Sequence, residues 1–369
     1  MNTTHKKKKI GIVTGGGDCP GLNAVIRAIV KAAALQGWES LGIHGGFDGL
    51  LTPTKTSRLA FKDMDGLLVR GGTILGTASS GPFSAKTGQG KARQIESGIL
   101  DQARSNFDRL GLSALVAIGG DGTLTVALQM YQAGWPVVGI PKTIDNDLDA
   151  TLMTFGFDTA VSCAVDALDR LHSTAQSHNR VMVLEVMGRY AGWIATHAGL
   201  AGGADVILIP EIPFDFESVC RKIKDREAEG KAFTIVIAAE GARQTGRDFT
   251  TESSGESDRE IRLGGIGQRV ALEIERLTGK ETRCVVLGHL QRGGTPTQFD
   301  RQLCTRFGVY AVQMIAKKQF GMMAALTGTG IAPVTLAEAV HRIRTVPRDG
   351  ELVMTARSLG ISFGDTPPA

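Results

Sequence analysis

The stretch that decides the fold runs from Ala114 to Asp147 and reads ALVAIGGDGTLTVALQMYQAGWPVVGIPKTIDND. Ala114–Ile118 is a short, wholly apolar run that stops at a glycine pair, as a strand buried on both faces of a parallel sheet does. Gly119-Gly120-Asp121-Gly122 follows. Thr123–Ala133 then reads as a helix, with Thr123 or Thr125 near its cap and Gly134 just past its end. A second apolar run, Pro136–Ile140, predicts the next strand, which empties into Pro141-Lys142-Thr143-Ile144-Asp145-Asn146-Asp147. Loops at the carboxyl ends of parallel strands share one crevice, so Asp121 and Asp145 are expected to face the same space.

This pattern has a chemical logic. Glycines lack the Cβ that would keep backbone N–H groups away from a polyphosphate, and the helix N-terminus behind them favours anions. Asp121 alone would repel phosphate. With Mg²⁺ it becomes a bridge, because that ion takes one or two carboxylates plus phosphate oxygens. Asp145 then sits where a base could take the proton of a hydroxyl attacking phosphorus. A plain glycine turn followed by acidic loop residues accounts for either loop singly; two such loops on consecutive strands favour phosphoryl transfer.

The GGDGT and PKTIDND motifs together closely resemble the 6-phosphofructokinases. Four further segments match in order: TGGGDCPGLN (14–23), RGGTILGT (70–77), VMVLEVMGRYAGW (181–193) and ETRCVVLGHLQRGGTP (281–296). GGDGT by itself also resembles lipid and NAD kinases, but those leave TIDND, MGR and HLQRGG unexplained. The resemblance implies two three-layer α/β lobes with mostly parallel sheets and the active site in the cleft between them. The larger, donor-binding lobe would comprise residues 1–155 plus about 290–340. The smaller, sugar-phosphate lobe would comprise about 156–289 plus the C-terminal segment.

The resemblance implies ATP as donor, fructose 6-phosphate as acceptor and Mg²⁺ as cofactor, for the committed step of glycolysis. It places Gly17, Ser79, Ser80, Gly120, Asp121, Gly122 and Thr123 at the donor, with Asp121 on the metal. Thr143, Ile144, Asp145 and Asp147 fall at the sugar hydroxyl, with Asp145 as base and Asp147 orienting it or pressing on it by like charge. Met187-Gly188-Arg189, Glu240, His289, Leu290, Gln291 and Arg292 fall around the sugar phosphate. Arginines matching Arg180 and Arg283 reach that phosphate from a neighbouring subunit, which implies a homodimer or homotetramer. Phe47 fits the hydrophobic core and, by the resemblance, the nucleotide base.

Two positions bear on the donor. Regulated bacterial members carry an arginine and an aromatic residue where this chain has Ser79 and Ser80, so Lys142 is the cation left to meet spreading phosphoryl charge. Lys142 matches pyrophosphate-dependent relatives. Gly122 matches the ATP type, because those relatives carry a second aspartate there, which would repel the α-phosphate of ATP. Pyrophosphate therefore stays open as the alternative donor. A non-catalytic sugar-phosphate-binding subunit is the other alternative, and it would be expected to lack the base.

The rest of the chain is consistent with this. At 369 residues, two lobes are the default. Aromatics make up only 5%, against recognition of single-stranded nucleic acid by stacking. The net charge of +4 lies partly in Lys6–Lys9, which overlaps the Met1–Lys8 segment expected to be disordered. No apolar run approaches a membrane span and the N-terminus lacks a signal-peptide core, which fits a cytoplasmic protein. Five scattered cysteines without CxxC spacing fit neither a zinc site nor a disulfide framework. Gln244–Arg262 is polar and Ser/Gly-rich and reads as a surface insertion. A strand is expected over Arg283–Leu290. The segment after the last core helix, to Ala369, resembles nothing specific.

Overall fold

The structure, a computed structural model, describes residues 7–87, 91–250 and 263–366. Most of the expected N-terminal tail and most of the Gln244–Arg262 insertion lie outside the described residues. In chain order the elements are β1 (Lys9–Thr14), α1 (Leu22–Leu35), β2 (Glu39–Ile43), β3 (Thr56–Leu59), β4 (Lys86–Thr87), β5 (Lys91–Ala92), α2 (Ser97–Arg109), β6 (Ala114–Gly119), α3 (Asp121–Gln132) and β7 (Val137–Pro141). Then come α4 (Phe157–His178), β8 (Val181–Val186), α5 (Trp193–Ala201), β9 (Val206–Leu208), α6 (Phe216–Ala228), β10 (Thr234–Ala239), α7 (Ile266–Thr278) and β11 (Thr282–Val286). The last are α8 (Gln298–Ala316), β12 (Met322–Thr327), β13 (Gly330–Thr335), α9 (Leu336–Ala339) and α10 (Glu351–Ser358).

The chain falls into two compact units. The first takes Met1–Thr143, Leu148–Asp158 and Arg292–Ile343; the second takes Ile144–Asp147, Thr159–Gln291 and Arg344–Ala369. The first holds a seven-stranded sheet of order β13-β12-β7-β6-β1-β2-β3, parallel except for its two outermost strands. Period-two alternation splits its side chains between two faces. Val13, Leu115, Ala117 and Val137 join one cluster with Phe107 of α2, Leu124, Val126 and Met130 of α3 and Leu336 of α9. On the other face α1 packs on α8, which rests on β7. Phe47 belongs to the first cluster, its ring centroid 5.6 Å from that of Phe83.

The second unit holds a four-stranded, all-parallel sheet of order β11-β8-β10-β9. Val181, Val183, Val206, Leu208, Val236 and Ala238 share a core with Val219 and Ile223 of α6 and with Val270 and Ile274 of α7. The small α5 covers the opposite face; a Cβ on its Gly199 would lie 2.7 Å from Ile207, so only glycine allows this approach. The mostly parallel α/β class is therefore as expected.

Two element boundaries differ by two residues or more from the sequence reading, the others given above by one. Helix α3 begins at Asp121, two residues early, because extended Gly120 serves as its N-cap and a carboxylate is favoured in a first turn. Thr123 and Thr125 lie inside the helix, and Thr125 Oγ1 donates to the Asp121 carbonyl at 2.8 Å. Strand β11 stops at Val286 instead of Leu290. Leu287 N makes the last rung to Glu185 O at 3.1 Å, and left-handed Gly288 (φ 49°) turns the chain into a 3₁₀ turn over Gly288–Arg292.

Candidate active site

In the first unit, three loops at the carboxyl ends of strands are tied together. Gly15 N donates to Ile118 O at 2.9 Å, Gly16 N to Ala78 O at 3.0 Å, and Lys142 N to Gly119 O at 3.0 Å. Thr14 Oγ1 donates to Gly76 O at 2.7 Å and Thr77 Oγ1 to Gly16 O at 2.5 Å. The loops after β1, β6 and β7 and the 70–80 segment thus form one cluster. Ser79 and Ser80 are exposed, as are Gly17 and Gly76.

The glycines are there because the loops are crowded. A Cβ on Gly119 would lie 2.3 Å from the Thr123 side chain, one on Gly15 2.6 Å from it, and one on Gly17 2.7 Å from the Arg292 guanidinium. A Cβ on Gly122, by contrast, would meet nothing within 4 Å. Asp121, the first residue of α3, is half-buried between Gly120 and that open space. Buried Lys142 extends its ammonium to the Gly17 carbonyl.

Arg292, grouped by the resemblance with the sugar phosphate, belongs to this first unit and donates from Nη1 to the Asp18 carbonyl at 3.2 Å. Lys142 and Arg292 both lie close enough to Cys19 for their charges to act on its thiol. Burial still dominates and pushes that thiol up to about 12, so Cys19 packs and does not attack.

One carboxylate beside open space, in a loop cluster that also carries the Lys142 ammonium and the Arg292 guanidinium, would suit a divalent cation shared with phosphate oxygens. Among the described residues no group of three or more His, Cys, Asp and Glu stands ready to hold a metal. The fit is therefore to Mg²⁺ taken up with its phosphate ligand through Asp121.

The chain passes into the second unit between Thr143 and Ile144. Thr143 is half-exposed, and its carbonyl accepts from Thr154 Oγ1 at 2.7 Å. Ile144 is fully buried, which pins the next residue, and Asp145 is only 5% exposed. Asn146 is left-handed at φ 51°, and Asp147 is half-buried. Three further loops of this unit carry expected residues. Met187 N donates to Gln291 Oε1 at 2.8 Å, which joins the MGR loop after β8 to the 3₁₀ turn after β11. Arg189 N donates to Glu240 Oε1 at 2.9 Å, and Glu240 N donates to Val186 O at 2.8 Å, which adds the end of β10. Gly188 sits at φ 144°, where a Cβ would strike the Ala191 carbonyl at 2.6 Å. His289 and Leu290 are exposed on the 3₁₀ turn.

Arg180 and Arg283 stand together at the opposite end of the sheet edge. Arg180 Nε donates to Glu281 at 2.7 Å, and Arg283 Nη2 reaches the other oxygen of the same carboxylate at 2.5 Å. Both guanidinium groups are partly exposed.

Sequence reasoning did not find one electrostatic relation here. Glu240 and Asp145 are far apart in sequence, yet the fold sets their carboxylates against each other. Burial first, and the like charge of Asp145 second, raise Glu240 to about 7, against the pull of the Gly188 and Arg189 backbone donors. The folded state thus holds the Glu240 proton more tightly than the unfolded chain, so the stability it contributes is full below pH 4.5 and is lost as pH rises through about 7. Glu240→Gln should therefore gain folding stability relative to the wild type as pH goes from 5 to 8, by an amount on the order of 2 kcal/mol, seen as a rising difference in melting temperature. Equal pH profiles by scanning calorimetry would contradict this.

An open parallel sheet whose strand ends gather glycine loops, an acidic helix start and a buried lysine defines an α/β protein suited to phosphate-bearing ligands. The chain belongs to the phosphofructokinase family, whose model matches residues 9–315. An ATP-dependent 6-phosphofructokinase of Chloroflexus aggregans is 55% identical over 363 residues, covering 98% of this chain and 99% of that protein. A pyrophosphate–fructose 6-phosphate 1-phosphotransferase of Amycolatopsis mediterranei is 50% identical over 342 residues, covering 92% of this chain and 96% of that protein. The solved phosphofructokinase of Saccharomyces cerevisiae superposes with a TM-score of 0.77 at 31% identity, covering 91% of this chain and 45% of that one.

Proposed function

We propose that this chain is an ATP-dependent 6-phosphofructokinase. It transfers the γ-phosphoryl group of ATP to the 1-hydroxyl of fructose 6-phosphate, the committed step of glycolysis. The 55% identity to a relative of that name, over nearly the whole of both chains, supports the reaction. The observation that carries the donor is the open space at Gly122, beside Asp121 at the start of α3.

In this reading Gly17, Ser79, Ser80, Gly120, Gly122 and Thr123 line the donor site. Asp121, together with phosphate oxygens, would hold Mg²⁺, which would supply neutralisation of the phosphate charge. The Lys142 ammonium and the loop N–H groups meet the charge that spreads over the transferring phosphoryl. Thr143 and Ile144 hold the segment that aims Asp145. The Asp145 carboxylate takes the proton of the attacking hydroxyl, and Asp147 orients it. Met187, Gly188, Arg189, Glu240, His289, Leu290, Gln291 and Arg292 bind the sugar phosphate. Arg180 and Arg283 serve the phosphate of a neighbouring subunit, within a homodimer or homotetramer in the cytoplasm. Edge strand β11 supports self-association: Val286 is 51% exposed and Leu290, just beyond, 70%. A monomer in sedimentation at assay concentration would remove that part. Among the described residues no helix is long and apolar enough to cross a membrane.

Pyrophosphate is the second reading. Lys142, buried against the Gly17 loop, favours it, as does the name of the Amycolatopsis relative. A coupled assay with fructose 6-phosphate and Mg²⁺, supplied with ATP or pyrophosphate separately, decides. Turnover with ATP alone is expected. Turnover with pyrophosphate alone would mean Lys142 sets the donor, and no turnover with either would end the proposal.

A further inference from the structure

The family match ends at residue 315, and the segment beyond it carries no recognisable motif. At Arg344 the chain re-enters the second unit, the unit that holds Ile144–Asp147. There its guanidinium forks onto one atom: Nε at 3.2 Å and Nη2 at 3.0 Å both donate to the Asn146 carbonyl. The Arg344 backbone N donates to the Asp147 carbonyl at 2.8 Å. Two successive carbonyls of the loop are thereby held by one residue.

Arg344 is itself fixed. Its guanidinium lies 4.7 Å over the Trp193 ring, and Trp193 Nε1 donates back to the Arg344 carbonyl at 2.9 Å. Two residues on, Val346 N donates to Glu211 Oε1 at 2.8 Å, and the same carboxylate accepts from Gly192 N at 3.0 and 3.1 Å. The strap Arg344–Val346 thus rests on α5, the helix that follows the MGR loop.

The grip falls where the loop needs one. Asn146 lies between Asp145 and Asp147 in the left-handed region, which costs energy for any residue but glycine. A left-handed peptide is one rotation away from the relaxed form, and that rotation would carry both neighbouring carboxylates with it. Donors on the carbonyls of residues 146 and 147 fix the peptide planes and hence the aim of Asp145.

We propose that Arg344 is a positioning residue for this reaction, setting the aim of Asp145 through the Asn146 carbonyl without touching substrate. The proposal rests on the reading of Asp145 as base. Lysine would not replace it, since one ammonium neither forks nor stacks as a guanidinium does.

The test uses the full-length chain with ATP and fructose 6-phosphate. Arg344→Met should lower kcat about 30-fold, with both KM values within about threefold, because aim is felt in the transition state more than in binding. Arg344→Lys should recover part of that loss. In an Asp145→Ser background, Arg344→Met should add less than about twofold, whereas a purely structural tether would lower kcat by the same factor in both backgrounds. A kcat within twofold of wild type for Arg344→Met, or full multiplicativity with Asp145→Ser, overturns the proposal. If Arg344→Met does not fold, Trp193→Leu, which removes the stacking platform and the indole hydrogen bond to the Arg344 carbonyl, takes its place. A loss of about fivefold in kcat is expected, and an unchanged kcat overturns it. Wild-type protein inactive with every donor would defeat the proposed function instead, a result separate from any of these.

Discussion

Asp145→Ser should reduce kcat by about 10³-fold while leaving the melting temperature at pH 8 no lower than that of the wild type. General-base catalysis is worth about 10²–10⁴-fold, and a serine cannot accept the hydroxyl proton at neutral pH. The site gives the carboxylate few substitutes. Asp145 is 5% exposed, so bulk water is a poor replacement. Stability should survive because the lost group is one of two like charges set against each other inside the fold. The same variant carries a second readout. With Asp145 gone, one of the two influences that raise Glu240 disappears, so the pH dependence traced by Glu240→Gln should shift to lower pH in the Asp145→Ser background. Turnover within tenfold of wild type would remove Asp145 as the base. An unshifted pH profile would deny the Asp145–Glu240 pairing.

Gly122→Asp should cut kcat/KM for ATP by at least about 100-fold, equivalent to about 2.7 kcal/mol, and raise turnover with pyrophosphate. The fold itself should not object. A Cβ at residue 122 meets nothing within 4 Å, and an added carboxylate in the first turn of α3 is favoured by the helix dipole. The cost falls on the ligand, since two adjacent carboxylates would confront the α-phosphate of ATP. Crowded glycines of the same loops behave in the opposite way. At Gly119 an added Cβ lies 2.3 Å from Thr123, so Gly119→Ala damages the protein before it can alter donor choice. Retention of ATP turnover in Gly122→Asp would show that the space there does not belong to the donor, and would shift the weight to Lys142.

Much of this site was legible in the sequence. Apolar runs ending at glycine marked β6 and β7, and the repeated strand–loop–helix rhythm marked the second unit as α/β. Those signals are local. A buried parallel strand must be continuously apolar, and a loop approached by backbone or ligand must lose its side chains, whatever surrounds it. Boundaries were read less well where local and tertiary preferences meet. Extended Gly120 starts α3 at Asp121, ahead of the threonines whose side chains suit a cap. The apolar residues after Val286 looked like more strand, but left-handed Gly288 ends the ladder.

The sequence by itself determined the α/β class, the glycine loops, and which side chains stand at the ends of strands. It also determined the family, through motifs whose spacing survives in one chain. Only the tertiary structure decided what those side chains face. Glu240 meets Asp145, Arg292 reaches the Asp18 carbonyl, and Arg344, from a tail without any motif, grips the Asn146 carbonyl. The physical reason is range. Periodicity and turn chemistry act over a few residues, whereas each of these pairings joins positions brought together only when distant strands and loops pack, and no local pattern in the chain records their distance.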